Sequence, residues 1–214
     1  MTAPIRAPFL KKQDIREKAA QFLEKYNPEN TIPVPLDDIV DLRWGITIAP
    51  VFQLQSRYDV VGFTSSDFKT IYVDADLYNN PRLEARYRFT LAHEMGHVVL
   101  HADTLRKAMI RTIDDYTAFR RAMPEGERSW FESHAYEFGG LILVPPEELE
   151  RIAKERLESV LEIVERAKRM GWERDSYLEI ALDKWANRIA PSFHVSWEVV
   201  QKRLNADGLV DLIE

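Results

Sequence analysis

The segment Leu91-Ala92-His93-Glu94-Met95-Gly96-His97 sets two histidines four residues apart, with a glutamate directly after the first. Residues at that spacing lie nearly above one another on a helix, so both imidazoles can grip a single cation. Glu94 is turned about 100° around the helix from His93, which puts its carboxylate beside the ion rather than on it. A base must sit there to take a proton from an attacking water. Zn2+ suits imidazole and carboxylate ligands, activates water near neutral pH and polarises a carbonyl as a Lewis acid. The pattern points to metal-assisted hydrolysis of a peptide bond, with Glu94 as the catalytic base that hands the proton to the leaving amine.

The flanking residues predict a buried helix. Leu91, Ala92, Met95 and Val99 occupy the face away from the His/Glu cluster, and Val98 and Leu100 fill the flanks. A helix that is apolar nearly all round belongs inside a protein. Two histidines and a carboxylate buried there need partners, which a metal provides. Gly96 costs about 1 kcal/mol relative to Ala in a helix interior, so another backbone is expected to pack closely against it. The competing reading, an exposed helix whose histidines hold no metal, lacks this apolar context.

A catalytic zinc takes three protein ligands and keeps a position open. His101 continues the four-residue series, but eight residues from His93 is about 12 Å along the axis. That is too far for both to meet one ion with His97 between them, so His101 is expected to interact with the C-terminal end of its helix dipole. Glu132 is the better third ligand. Glu132, Ala135, Tyr136 and Gly139 form one helical stripe, and its small members let that helix approach the His93–His97 helix. The alternative is that Glu132 is a solvated charge. His101, His134 and Tyr136 are candidates for contact with substrate or with the developing oxyanion, and Asp74 for orienting a ligand histidine from behind.

The elements that must hold these groups are legible from periodicity and breakers. Helices are predicted over about Asp14–Tyr26 and Asp37–Leu42, followed by strands over Ile46–Val51, Val60–Thr64 and Thr70–Val73. Ser65-Ser66-Asp67 supplies a hairpin turn between the last two strands. The Thr70–Val73 strand is expected beside the cleft, as an edge with which an extended substrate could pair. Helices then follow at about Leu83–His101, Glu127–Leu143, Glu147–Met170, Asp175–Ala190 and Ser196–Asn205, with Pro124-Glu125-Gly126 and Pro145-Pro146 as breaks. The fold class is α+β: a small N-terminal, mainly antiparallel sheet packed on a zincin-like helical core, with a helical C-terminal extension. Residues 1–145 are expected to form the core, and 146–214 the extension, packed on the core as one unit.

Composition narrows the classes. The 214 residues are 45% hydrophobic and 30% charged, enough for a real core, so a metal is not needed merely to fold. There is no cysteine, which excludes disulfides, a thiolate nucleophile and thiolate zinc ligands. No run approaches the ~18 apolar residues of a membrane span, and Met1–Lys12 lacks the apolar stretch of a signal peptide. A cytoplasmic protein without membrane partners is expected. The net charge of −6 argues against a broad nucleic-acid footprint.

Arg88-Phe89-Thr90-Leu91-Ala92-His93-Glu94-Met95-Gly96-His97-Val98-Val99-Leu100-His101 resembles the ImmA/IrrE-type metallopeptidases, gluzincin-like enzymes of bacteria and their mobile elements. So does Glu132-x-x-Ala135-x-x-Phe138 followed by Leu141-Ile142-Leu143-Val144-Pro145, with weaker similarity over Pro35–Val51 and Val195-Ser196 to Arg203-Leu204, and together these span most of the chain from residue 35 to 210. The resemblance implies that His93, His97 and Glu132 are zinc ligands and Glu94 the catalytic base. It further implies a protein substrate, a helix-turn-helix repressor or antitoxin whose cleavage relieves repression. Tyr136 departs from the family's usual Asn or Asp, and Gly139 from its usual Ala. The segment between the motifs is long, so Asp103–Arg128 reads as a lid or a substrate-specific insert.

Two readings of another class compete. Phe193-x-Val195-Ser196-x-x-x-Val200-x-x-Arg203-Leu204 faintly resembles half of a DNA-binding helix-turn-helix, but Lys202 and Arg203 are outnumbered there by Glu198, Asp207, Asp211 and Glu214. A recognition helix ought to be basic, so a helical cap packed through Trp197, Val200 and Leu204 is expected. A metal-binding sensor without proteolysis would have no use for Glu94.

Overall fold

The computed structural model describes residues 6–213; part of the Met1–Lys12 tail, and Glu214, lie outside the described residues. The chain divides into two compact units, Met1–Ile142 and Leu143–Glu214.

In the first unit, α1 (Lys12–Tyr26) buries Ile15, Ala19 and Phe22. A short turn α2 (Leu36–Asp38) continues into a π-helical turn, Ile39–Arg43. Strand β1 (Thr47–Val51), the short helix α3 (Leu54–Tyr58), and the hairpin of β2 (Gly62–Thr64) and β3 (Thr70–Asp74) follow. The hairpin turn closes through Ser65 and Asp67: Phe68 N donates to Ser65 O at 2.9 Å, and Lys69 N to Asp67 Oδ1 at 3.1 Å.

The sheet is mixed, with the order β1-β3-β2. β3 pairs in parallel with β1 over five residue pairs and antiparallel with β2 over three. The expected mainly antiparallel sheet is therefore corrected. The α3 detour reverses the chain after β1, and the hairpin then inserts β3 between β1 and β2. As the central strand, β3 has both backbone edges occupied, so the edge next to the helix of His93 and His97 is β2 rather than Thr70–Val73. Asp74 has a local role as well. Its carboxylate accepts from Asp76 N and Leu77 N to cap α4 (Ala75–Asn79), and from Gln55 N at 2.8 Å.

A 3-10 turn at Pro81–Leu83 leads into α5 (Glu84–Leu100), which is buried as its composition demands, with Leu91, Ala92 and Met95 fully enclosed. The 103–128 insert is helical. It forms α6 (Ala102–Ala108), α7 (Ile113–Ala122) and the start of α8 (Glu125–Leu143). Thr112 and Asp115 cap α7 reciprocally: the Thr112 hydroxyl accepts from Asp115 N at 3.2 Å, and the Asp115 carboxylate from Thr112 N at 2.9 Å. Such a capping box fixes where a helix starts. Leu105, Ile110, Phe119 and Met123 of the insert pack with Leu54, Val60 and Phe63 into one apolar cluster, so the insert is built into the core around the sheet.

In the second unit, α9 (Pro146–Glu155), α10 (Glu158–Arg169), α11 (Arg174–Ile189) and α12 (Trp197–Ala206) form a helical assembly. The single helix expected over Glu147–Met170 is broken at Arg156-Leu157. Leu157 N bonds Lys154 O rather than Ala153 O, and Ala153 O accepts from Arg156 N at 3.2 Å and from the buried Trp185 indole at 3.2 Å. On α12, Val200 and Leu204 are buried. Arg203, a would-be DNA contact, is buried and paired with Asp207 at 2.6 Å. Among the described residues, no helix is long and apolar enough to cross a membrane.

Candidate metal centre and cleft

Helices α5 and α8 meet backbone to backbone. A Cβ on Gly96 would stand 3.1 Å from both Cα and O of Ala135, and one on Gly139 would stand 3.3 Å from His93 N. The glycines thus set the approach that brings Glu132 of α8 to His93 and His97 of α5. Gly96→Ala should gain about 1 kcal/mol in helix propensity but lose about 1–3 kcal/mol to overpacking. The obstruction is α8 backbone, which cannot rotate away, so the clash should win. Urea unfolding of the metal-free variant is expected to give a lower midpoint than the parent; an equal or higher midpoint would show that α8 yields.

Three donor atoms converge. His93 Nε2 lies 3.0 Å from His97 Nε2 and 3.1 Å from Glu132 Oε2, and His97 Nε2 lies 3.7 Å from that same oxygen. One proton shared between two of these atoms leaves the third facing lone pairs, whereas one cation satisfies all three. Burial works to raise the Glu132 pKa, but hydrogen bonds from His93 and His97 outweigh it and hold the carboxyl far below the usual carboxylate range. The donor chemistry fits a metal.

Glu94 is buried beside this cluster, and its carboxylate lies within 4.8 Å of the two histidines' ligand atoms. Its Oε2 accepts the Thr64 hydroxyl of β2 at 2.8 Å. That bond turns the carboxylate toward the sheet edge, while Glu132 holds the direct imidazole contacts.

Behind His97 runs a chain of imidazoles. His97 Nδ1 is 3.1 Å from His101 Nδ1, His101 Nε2 is 3.3 Å from His134 Nδ1, and Leu10 N donates to His134 Nε2 at 3.4 Å. Burial, then the neighbouring His97 and His134, push the His101 pKa down to about 2. His101 is therefore neutral and is not the cation expected at the helix end. It is also enclosed, with its ring stacked on Phe131 at 4.3 Å. By contrast His93 Nδ1 is buried and finds no hydrogen-bond partner among the described residues.

The cluster opens into a cleft of about 250 Å³ whose walls include His93, Glu94, Glu132 and Tyr136, together with Val61 and Gly62 at the start of β2. Tyr136 is half exposed and lies against His93 at 4.5 Å and against Phe89 at 5.6 Å. Burial and the Glu132 charge raise its pKa. Of the three sequence candidates for substrate contact, Tyr136 lines the cleft, whereas His101 and His134 lie in the chain behind His97. Sequence reasoning did not single out Thr64, Tyr116 or Arg120, although all three bear on the site. A Thr112-x-x-Asp115 capping signal followed by Tyr116 and Arg120 one turn apart was the available clue for the last two.

The family model for the IrrE N-terminal-like domain, Peptidase_M78, matches residues 55–205, well over half of the chain. No curated protein and no solved structure matches. The matched span contains His93, Glu94, His97 and Glu132 and all of the insert. The chain belongs to the IrrE N-terminal-like domain family, a metallopeptidase family of the ImmA/IrrE type.

Proposed function

We propose that the protein is a zinc-dependent endopeptidase that uses His93, His97 and Glu132 as metal ligands and Glu94 as catalytic base. The convergence of two imidazole nitrogens and one carboxylate oxygen within 3.0–3.7 Å carries this reading. Zinc bound there would supply a Lewis acid and make hydroxide available near neutral pH. Glu94, oriented by Thr64 and bordering the cleft, accepts a proton from water and delivers it to the leaving amine. β2, an edge strand, offers its outer side beside Glu94 at Gly62, where an extended peptide can add as a further strand. By the family's character the substrate is a helix-turn-helix repressor or antitoxin, and its cleavage would release a promoter.

His101 is the positioning residue behind His97. A ligand that coordinates through Nε2 carries its proton on Nδ1, and a neutral acceptor there fixes ring and tautomer. With Leu10 N donating to His134, the imidazole chain runs the other way; with a cation held at His97 the chain would have to reverse, at the loss of that 3.4 Å contact, the longest in the chain. His101→Phe keeps the stack on Phe131 but removes the acceptor. Zinc affinity is expected to fall about 10–100-fold, read by competition with a chromophoric chelator. Unchanged affinity would remove His101 from this role.

The test of the whole reading is metal analysis of the purified protein together with capture. About one zinc per chain is expected, and Glu94→Gln should trap a protein substrate from host lysate. Capture of DNA without protein would favour a DNA-binding module instead.

A further inference from the structure

Helix α7 belongs to the insert, yet two of its side chains, Tyr116 and Arg120, reach the cleft that holds Glu94 and Glu132. They stand four residues apart and therefore share one face of α7. The Arg120 guanidinium lies over the Tyr116 ring at 5.8 Å, and that ring stacks on Phe63 at 5.2 Å. Tyr116 is buried, and burial foremost, then the charges of Glu132 and Glu94, raise its pKa well above the ordinary value. Its hydroxyl is thus a permanent donor. Arg120 Nε is buried and finds no hydrogen-bond partner among the described residues.

A buried guanidinium nitrogen left without an acceptor costs free energy unless something supplies one. Of the carboxylates that line the cleft, Glu94 is engaged with Thr64 and Glu132 with His93, and the exposed Asp59 makes no bond to Arg120 Nε. Arg120 also lines the cleft and is part-exposed, so whatever occupies the cleft can bring its guanidinium an acceptor. Every peptide brings a carbonyl oxygen that becomes an anion when water adds to its carbon.

We infer that Tyr116 and Arg120 are the donors that hold the scissile carbonyl oxygen and stabilise it as it gains charge. This rests on the hydrolytic reading above. Water oxygen bonds to the carbonyl carbon, and the C=O π pair moves onto the oxygen facing Tyr116 and Arg120. The water proton passes to Glu94 and then to the amine nitrogen as the C–N bond breaks, which restores the carbonyl. Preorganised donors aimed at the oxyanion strengthen in the transition state rather than in the ground state. On this inference the insert is part of the catalytic machinery, and the long spacing between His97 and Glu132 exists to thread α7 past the cleft.

The probe is a phosphinic pseudopeptide, Ala-Phe-(PO2-CH2)-Leu-Ala, whose tetrahedral anion stands in for the oxyanion, compared with the plain peptide Ala-Phe-Leu-Ala. Calorimetric titration compares the parent with Tyr116→Phe, which keeps the ring on Phe63, and with Arg120→Gln and Arg120→Lys. The plain peptide is titrated in a Glu94→Gln background so that it is not cut. Each loss of a donor should weaken phosphinate binding about 10²–10³-fold and leave the plain peptide within a few-fold. Arg120→Lys should recover part of the loss, and zinc content should not change. If the parent prefers the phosphinate and the variants keep that preference, this assignment is wrong while the peptidase reading stands. If the parent shows no preference for the phosphinate, both are overturned.

Discussion

Replacing Glu132 by alanine should strip the protein of zinc while leaving it folded. Glu132 Oε2 lies near both imidazole Nε2 atoms, at 3.1 and 3.7 Å, so on this ligand set only two of the three ligands that a catalytic site needs remain without it. The loss should exceed the roughly 10–100-fold that removal of an outer-shell partner costs. Folding should survive because the side chain is 25% exposed and leaves no sealed cavity. The metal-free protein adds a second readout. Glu132 has a folded-state pKa depressed below its unfolded value, so its pairing stabilises the fold above the unfolded pKa and loses that contribution as pH falls through the folded one. Metal-free parent and variant should therefore differ in stability at neutral pH and converge toward strongly acidic pH. Zinc content by emission spectroscopy decides the main point: a variant that retains zinc at parental affinity has its third ligand elsewhere.

How much of this was legible in the sequence differs residue by residue. His93, Glu94 and His97 were readable because helical periodicity alone places them together. Glu132 was readable because a carboxylate above Ala135 and Gly139 signals a close-packed helix, and the 3.1 Å approach at Gly96 is that same signal seen from the other side. Sheet order was not readable. Local turn chemistry locates the β2–β3 hairpin, but nothing local says that β3 slides between β2 and β1, which is a long-range pairing. The break between α9 and α10 was hidden for a similar reason. Its apolar seam continues through Leu149, Ala153, Val160 and Val164, while the last turn of α9 tightens through Arg156 N to Ala153 O and Leu157 N to Lys154 O, with the Trp185 indole, far along the chain, also bonded to Ala153 O. His101 misled because its charge state depends on burial, which spacing does not report. Tyr116 and Arg120 were missed because their place in the cleft depends on how the insert folds back over β2.

Glu94→Gln should leave a folded, zinc-loaded protein that does not turn over. The substitution is nearly isosteric, and the amide oxygen can still accept the Thr64 hydroxyl that now bonds Glu94 Oε2 at 2.8 Å. Glu94 is 3% exposed, and a carboxylate that deep in the protein carries a desolvation cost that an amide avoids. The metal-free variant should therefore be at least as stable as the parent. What the amide cannot do is take a proton from water. General-base catalysis contributes about 10²–10⁴-fold, so the peptide-cleavage rate should fall by at least two powers of ten, with zinc content and peptide affinity retained. The contrast with Glu132→Ala carries the argument. One glutamate governs the metal and the other governs the proton, so the two variants should fail in different assays: zinc content for Glu132, turnover for Glu94. If Glu94→Gln lost zinc and Glu132→Ala kept it, the two roles would have to be exchanged. The Thr64 bond stands against that exchange, because it occupies the Glu94 carboxylate on the side of the sheet and leaves Glu132 as the carboxylate that touches both histidines.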